Sequence, residues 1–189
     1  MRLSTVGIWL VCAGLGLSSA HADIRVEPKP MPWVVVDAEQ ETLTVMGAGR
    51  PLEVFEGVAF GGGGVGLKQR RGDEVTPRGE FRVSWINPGS RFRLFFGLDY
   101  PNLDHAEHAY RDGRIDRPTF LSIREAVLRG KTPPQHTPLG GYIGIHGLGR
   151  ADPEIHALFN WTLGCVAVDN GQIDRLSRWI RPGMRVEIR

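Results

Sequence analysis

The sequence has little cysteine, no marked excess of charge of either sign, and no apolar run long enough to cross a membrane. The 189 residues include 23 Lys and Arg and 21 Asp and Glu, which gives a net charge of +2. Proteins that bind nucleic acid usually present a concentrated basic surface, so this balance argues against nucleic acid as a partner. The longest apolar run, residues 6–17, is too short for a membrane-spanning helix.

That run lies inside a predicted export signal. Arg2 is the only charge in the first 22 residues, and Ala-His-Ala at 20–22 fits the small-x-small cleavage pattern. We therefore predict a signal peptide at residues 1–22 and one domain at residues 23–189, a length that suits a single core. The mature protein is expected to be periplasmic or otherwise exported, without an integral membrane segment.

The cysteine count makes one thiol informative. The chain contains only Cys12 and Cys165, and cleavage of the signal removes the first. Cys165 is then alone in a compartment where thiols tend to oxidise, and it cannot form an internal disulfide. Composition leaves three roles open for Cys165: a buried cysteine without function, a partner in an intermolecular disulfide, or a catalytic nucleophile.

Short strands dominate the pattern. Apolar or alternating runs rich in β-branched residues predict strands near residues 33–36, 42–46, 52–58, 80–85, 91–96, 143–145 and 184–188. Helical periodicity appears at 119–129 and at 171–181, where Asp169 or Asn170 can act as the cap. The polar stretch 98–137 is otherwise expected to be loop. We predict a mainly β domain, a sandwich or barrel, with a few short helices.

Cysteine catalysis requires a base and donors for an oxyanion. His146 is predicted at a strand end, nineteen residues before Cys165, and is the candidate base; His156 competes but lies in what resembles a short surface helix. Gly164 precedes the cysteine and allows close backbone approach, so the amides of Gly164 and Cys165 are candidate oxyanion donors. A Gly-Cys pair in a packed strand and a core histidine are the structural alternatives.

A metal enzyme is a second class of function. His105 and His108 are spaced for one helical turn and His136 would add a third imidazole, but no recognised zinc pattern follows. We predict a polar surface loop around 105–108, no metal and no cofactor. A non-catalytic binding module is a third class, and the unpaired thiol argues against it.

Several ordered blocks resemble one family. They are His-Gly at 146–147 with Thr-Leu-Gly-Cys-Val at 162–166, Thr-Pro-Arg-Gly-Glu-Phe at 76–81, Asn-Pro-Gly-Ser at 87–90, Tyr-Pro-Asn at 100–102, and Thr-Pro-Leu-Gly-Gly at 137–141. Together they resemble L,D-transpeptidases of the YkuD type, in particular the subgroup related to murein L,D-transpeptidases of the YafK kind. The resemblance runs from about residue 33 to residue 188.

The resemblance implies an L,D-transpeptidase-type β-sandwich and a cysteine acyltransferase. Cys165 would attack a peptidoglycan stem peptide, with His146 as proton acceptor and donor and the Gly147 carbonyl as its orienter. Gly164 would serve the oxyanion hole, and Thr162 and Tyr142 would bind substrate. The thioester would pass to an amine of another stem or of a protein. The alternative is a hydrolase that cuts cross-links or the amide bonds of a wall-attached lipoprotein, so stems and such a lipoprotein are the expected partners.

Two positions depart from the family pattern. Leu163 stands where many members have a histidine, which leaves His146 as the base. Ala167 stands where many have an arginine or asparagine, so a polar group for stem recognition is expected to be missing from the cleft. The insertion at 100–138 is the candidate lid over that cleft.

Overall fold

The computed structural model describes residues 31–189. The predicted signal peptide and Cys12 lie outside the described residues, so cleavage after Ala22 stays a prediction. Within the described part, no helix has the length and apolar character needed to cross a membrane.

The described residues form ten strands. They are β1 (Trp33–Asp37), β2 (Thr42–Gly47), β3 (Arg50–Glu56), β4 (Val65–Gly66), β5 (Thr76–Pro77), β6 (Gly79–Ser90), β7 (Arg93–Leu98), β8 (Gly144–His146), β9 (Val166–Ala167) and β10 (Arg185–Ile188). The alternation that predicted β2 is real: Leu43 and Val45 are buried, and their neighbours are half-buried.

Eight of these strands form one mixed sheet in the order β3-β2-β1-β10-β6-β7-β8-β9. The long strand β6 joins its two halves, pairing with β10 through its first residues and with β7 further on. The two ends of the sheet then meet, because Ala59, just after β3, exchanges hydrogen bonds of 3.0 and 2.8 Å with Ala167 of β9. The sheet therefore encloses a core, and the predicted mainly β, sandwich-like architecture is confirmed.

Four helices complete the described fold: α1 (Leu103–Arg111), α2 (Arg117–Leu128), α3 (Pro153–Leu158) and α4 (Asn170–Leu176). The helices predicted at 119–129 and 171–181 correspond to α2 and α4. Asp169 caps α4 through a reciprocal pair of bonds with Gln172, and α4 ends at Leu176, five residues earlier than expected.

The prediction of a surface loop around 105–108 was wrong, because these residues lie in α1. Asn102 caps this helix by accepting from the His105 amide, and its buried face consists of His105, Ala106 and Ala109. Two of those three side chains are too small to produce an apolar periodicity in the sequence. The imidazole of His105 packs against Phe81 at 5.5 Å between ring centroids.

Candidate active site

The cysteine and the histidine lie on neighbouring parallel strands. Ile145 of β8 pairs with Val166 of β9, so Cys165, directly before β9, lies opposite Gly144. Because alternate residues of a strand point to the same face, the side chains of Cys165 and His146 share a face of the sheet. Both line one cleft of about 760 Å³.

Five aromatic side chains line this cleft: Trp85, Phe92, Phe95, Tyr142 and Trp161. Arg91 is the one Lys, Arg, Asp or Glu among the lining residues. The aromatic residues other than Tyr142 were not singled out from the sequence. Their signal is the clustering of aromatic residues in the hairpin of β6 and β7, which supplies Trp85, Phe92 and Phe95.

His146 is held firmly at the floor of the cleft. It is only 2% exposed, and its ring stacks on Phe92 at 4.3 Å, with Trp161 edge-on at 5.9 Å. Its Nδ1 lies 2.7 Å from the carbonyl oxygen of Gly147. A carbonyl only accepts, so Nδ1 carries the proton and Nε2 of the neutral ring is the acceptor.

Burial sets the protonation of this imidazole. Loss of hydration lowers the pKa of His146 to about 4, although the bond to the Gly147 carbonyl acts in the opposite direction. The charges of His156 and Arg91 add to the lowering. The ring is therefore neutral at physiological pH, the form that can accept a proton.

The thiol of Cys165 is half-buried and points toward backbone. Its Sγ donates to the carbonyl oxygen of Tyr142 at 3.4 Å. Burial raises the pKa of Cys165 to about 11, while the amide of Gly144 and the charge of Lys68 lower it. Cys165 is not linked to another cysteine in the described part of the chain, and it rests as a protonated thiol.

The turn before the cysteine requires glycine. Gly164 has a φ of 122°, a region that other residues rarely adopt. Its amide donates to the hydroxyl of Thr162 at 3.1 Å, and its expected part in an oxyanion hole stays a prediction. The amide of Cys165 has no hydrogen-bond acceptor among the described residues, so it is free to donate to a bound group.

Thr162 also lines the cleft, and its expected part in binding substrate stays a prediction. Its side chain is 4% exposed, and its hydroxyl donates to the carbonyl oxygen of Cys165 at 2.7 Å while accepting from the Gly164 amide. Both hydrogen-bonding directions are used within the loop. Thr162 therefore shapes residues 162–165, the cysteine loop, and has no hydroxyl proton left for a substrate. Thr76, which the sequence did not single out beyond its motif, lies behind the same carbonyl at 3.4 Å.

Tyr142 lies at the edge of the cleft. It is 53% exposed, adopts a left-handed φ of 55°, and its hydroxyl is 3.0 Å from Nε2 of His136. Its ring also meets Trp85 edge-on at 6.5 Å. With Leu163 it separates the cleft from a second cavity of about 350 Å³. An exposed ring at this position is available to a bound molecule.

Three further features singled out from the sequence can be located. No residue of the insertion at 100–138 lines the cleft, one wall of which is formed by the β6–β7 hairpin, and a lid role for the insertion stays a prediction. Leu163 is 74% exposed at the cleft mouth. Ala167 is fully buried, its backbone pairs with Ala59, and it is not among the residues that line the cleft.

The competing histidines lie elsewhere. His156 is on α3, as predicted for a surface helix, and its Nδ1 accepts from the indole of Trp161 at 3.3 Å. His105 and His108 bond to Asn102 and to the backbone of α1. Across residues 31–189, no group of three or more His, Cys, Asp or Glu side chains is arranged to hold a metal ion.

Comparison with known proteins decides the family. The family model YkuD, described as the L,D-transpeptidase catalytic domain, matches residues 31–188. The chain belongs to the YkuD family. No curated protein matches the chain. The YafK-like subgroup suggested by the sequence stays a prediction.

Solved structures agree on the fold of this YkuD domain. The helical cell shape determining protein Pgp2 from Campylobacter jejuni, in a point-mutant form, superposes with a TM-score of 0.56 at 22% identity, over 85% of this chain and 48% of Pgp2. Bd1075 from Bdellovibrio bacteriovorus gives 0.53 at 19% identity, over 85% and 48%. The chain thus spans about half the length of these structures. At such identities the likeness is one of fold.

Proposed function

We propose that this YkuD domain is an L,D-transpeptidase that forms a thioester between Cys165 and a peptidoglycan stem peptide and transfers it to an amine. The observation that carries the proposal is the placement of the Cys165 thiol and the neutral His146 ring on one face of β8 and β9, inside one cleft. Membership of a family of transpeptidase catalytic domains supplies the substrate class.

In the proposed reaction, Nε2 of His146 takes the thiol proton as Sγ attacks the carbonyl carbon of the third stem residue, whose amide bond joins it to the terminal D-alanine. The amide of Cys165 donates to the developing oxyanion. Collapse of that intermediate breaks the C–N bond, and the imidazolium returns the proton to the departing D-alanine amine. An acceptor amine then attacks the thioester and loses its proton to Nε2, which regenerates the thiol.

Gly147 takes part through its carbonyl. Its oxygen accepts from Nδ1 of His146 at 2.7 Å, which fixes the tautomer with Nε2 free and stabilises the imidazolium formed during acylation. No acidic side chain lines the cleft, so a backbone dipole takes the place that a carboxylate has in other triads.

The proposal is tested by incubating the purified protein with a defined tetrapeptide muropeptide and analysing the products by mass spectrometry. Transfer predicts cross-linked dimers and, on brief incubation, an adduct on Cys165. Tripeptide monomers alone would favour the hydrolytic alternative. With folded protein, absence of both products would refute both reactions. Cys165→Ser should abolish the adduct, and His146→Gln should slow its formation by about 100-fold or more.

The proposed substrate also implies a location and partners. Peptidoglycan lies outside the cytoplasm, so the predicted signal at residues 1–22 would deliver the enzyme to it. The acceptor would be an amine of a second stem or of a wall-attached lipoprotein. Adding a lysine-bearing acceptor peptide to the same assay separates these cases, since a protein-directed enzyme should join the stem to that peptide.

A further inference from the structure

One buried cation lies directly behind the cysteine loop. Lys68 is only 3% exposed, which is rare for a lysine. Its Nζ is 2.5 Å from Oδ1 of Asp73 and donates to the carbonyl oxygen of Val75 at 3.2 Å. A buried ion pair seldom adds net stability over an apolar pair of similar size, so fold stability alone does not account for this lysine.

The position of Lys68 relative to Gly164 gives it a second role. A Cβ built on Gly164 would lie 2.8 Å from the carbonyl oxygen of Val75 and 3.5 Å from Nζ of Lys68. The ammonium group, the carbonyl it binds and the Gly164 backbone are therefore packed against one another. Cys165 is the next residue along the chain.

The ammonium group is fixed in place by Asp73. Apart from Lys68, this carboxylate accepts from the backbone amides of Gln69, Arg70 and Val75. Burial acts to raise the pKa of Asp73, but the Lys68 ammonium and these amides hold it below its ordinary value. The carboxylate is ionised, and it holds Lys68 in one position beneath the loop.

We propose that Lys68 is a positioning residue of the active site, whose buried ammonium holds the Val75 carbonyl against Gly164 and supplies positive charge beneath the thiol of Cys165. The proposal rests on the proposed function in treating Cys165 as the nucleophile. Positive charge at this place stabilises the thiolate that forms during attack. The direction agrees with the lowering of the Cys165 pKa by Lys68.

Besides Lys68, four basic side chains line the cleft that holds the thiol or the cavity beside it. His146 on β8 is neutral, Arg91 lies on the β6–β7 hairpin, and Arg71 and His136 line the neighbouring cavity together with Lys68. Asp73 is the counter-charge of Lys68. A test has to separate Lys68 from Asp73, because both act on the same thiol with opposite sign.

The experiment follows alkylation of Cys165 by iodoacetamide, from neutral pH to about pH 10, by mass spectrometry of the peptide that contains it. Lys68→Met should slow alkylation about tenfold at every pH in this range, which lies below the thiol pKa of about 11, because loss of the ammonium raises that pKa by about one unit. Asp73→Asn should shift the pKa in the opposite direction and speed alkylation. Arg70→Met, an exposed cation on the same loop, is the matched control and should match the wild type.

The double variant Lys68→Met/Asp73→Asn buries no unpaired charge, so it should fold even where Lys68→Met alone does not. Its alkylation rate can then be compared with that of Asp73→Asn. If the ammonium acts on the thiol, the faster alkylation of Asp73→Asn should be lost in the double variant. Equal acceleration in both would overturn the proposal, as would an unchanged profile in folded Lys68→Met. Alkylation needs no stem peptide, so failure of the transpeptidase proposal would be recognised separately, by inactivity of wild-type protein on muropeptides.

Discussion

Replacing Gly164 by alanine tests the cysteine loop most directly. At a φ of 122°, a residue with a Cβ is strained by about 1–3 kcal/mol. The new Cβ would also meet the Val75 carbonyl oxygen at 2.8 Å, an overpacking that costs about 1–3 kcal/mol more. We expect Gly164→Ala to lower the free energy of unfolding by about 2–6 kcal/mol, or to displace the loop. A displacement of about 1 Å would slow acyl transfer about 100-fold.

Gly57→Ala is the matched control. Gly57 has a φ of 68°, and a Cβ built there meets nothing within 4 Å, so only a backbone cost of about 1–2 kcal/mol is expected. Urea unfolding followed by tryptophan fluorescence measures both variants, and the muropeptide assay measures activity. Equal stability loss in the two variants, with normal activity for Gly164→Ala, would refute the argument that the Val75 carbonyl restricts this loop.

Further predictions concern the loop, the buried histidines and the cleft cation. Thr162→Val should lower the free energy of unfolding by about 1–3 kcal/mol, because the Gly164 amide loses its acceptor and the Cys165 carbonyl loses the shorter of its two hydrogen bonds. Thr162→Ser keeps the hydroxyl and should show little loss in the same urea titration. The pKa values of His146 and His105 are lowered by burial from 6.5 to about 4, so the unfolded state binds more protons between these values. Stability should therefore fall as the pH drops below about 6.5, by about 3 kcal/mol for each histidine at pH 4, and urea midpoints that stay constant from pH 7 to 4 would contradict this. Arg91→Gln should raise KM for stems with free carboxylates about tenfold, whereas Arg93→Gln, whose side chain pairs with Asp174, should not.

The sequence predicted best those elements whose signals are local. Alternating β-branched residues identified β2, and the Asp169 cap identified the start of α4. The α1 helix was missed because its buried face is formed by Ala106 and Ala109 with a histidine. Helical periodicity is visible only when the buried side chains are large enough to stand out.

The candidate site was predictable where its residues form a motif, and not where they come from distant parts of the chain. Cys165, His146 and Gly147 follow from the ordered blocks at 146–147 and 162–166. Lys68 has no such signal, because its burial depends on how residues 68–75 fold behind a loop almost a hundred residues later. The sequence predicted that the first strand of the β6–β7 hairpin ends at residue 85 and the second begins at residue 91, because Asn-Pro-Gly-Ser at 87–90 has the composition of a turn. In the structure β6 continues through these residues.

The resting Cys–His pair of this cleft is neutral, and that constrains how it reacts. The pKa of the Cys165 thiol is about 11 and that of the His146 imidazole about 4. A difference of about seven units corresponds to an energy on the order of 10 kcal/mol for proton transfer between the two groups, before their mutual attraction is counted. In the proposed reaction, the thiolate would therefore form only as the substrate carbonyl is attacked, when charge passes on to the oxyanion. A protonated thiol is also a poor target for oxidants, so in the proposed exported location the burial of Cys165 would protect the proposed nucleophile until substrate binds.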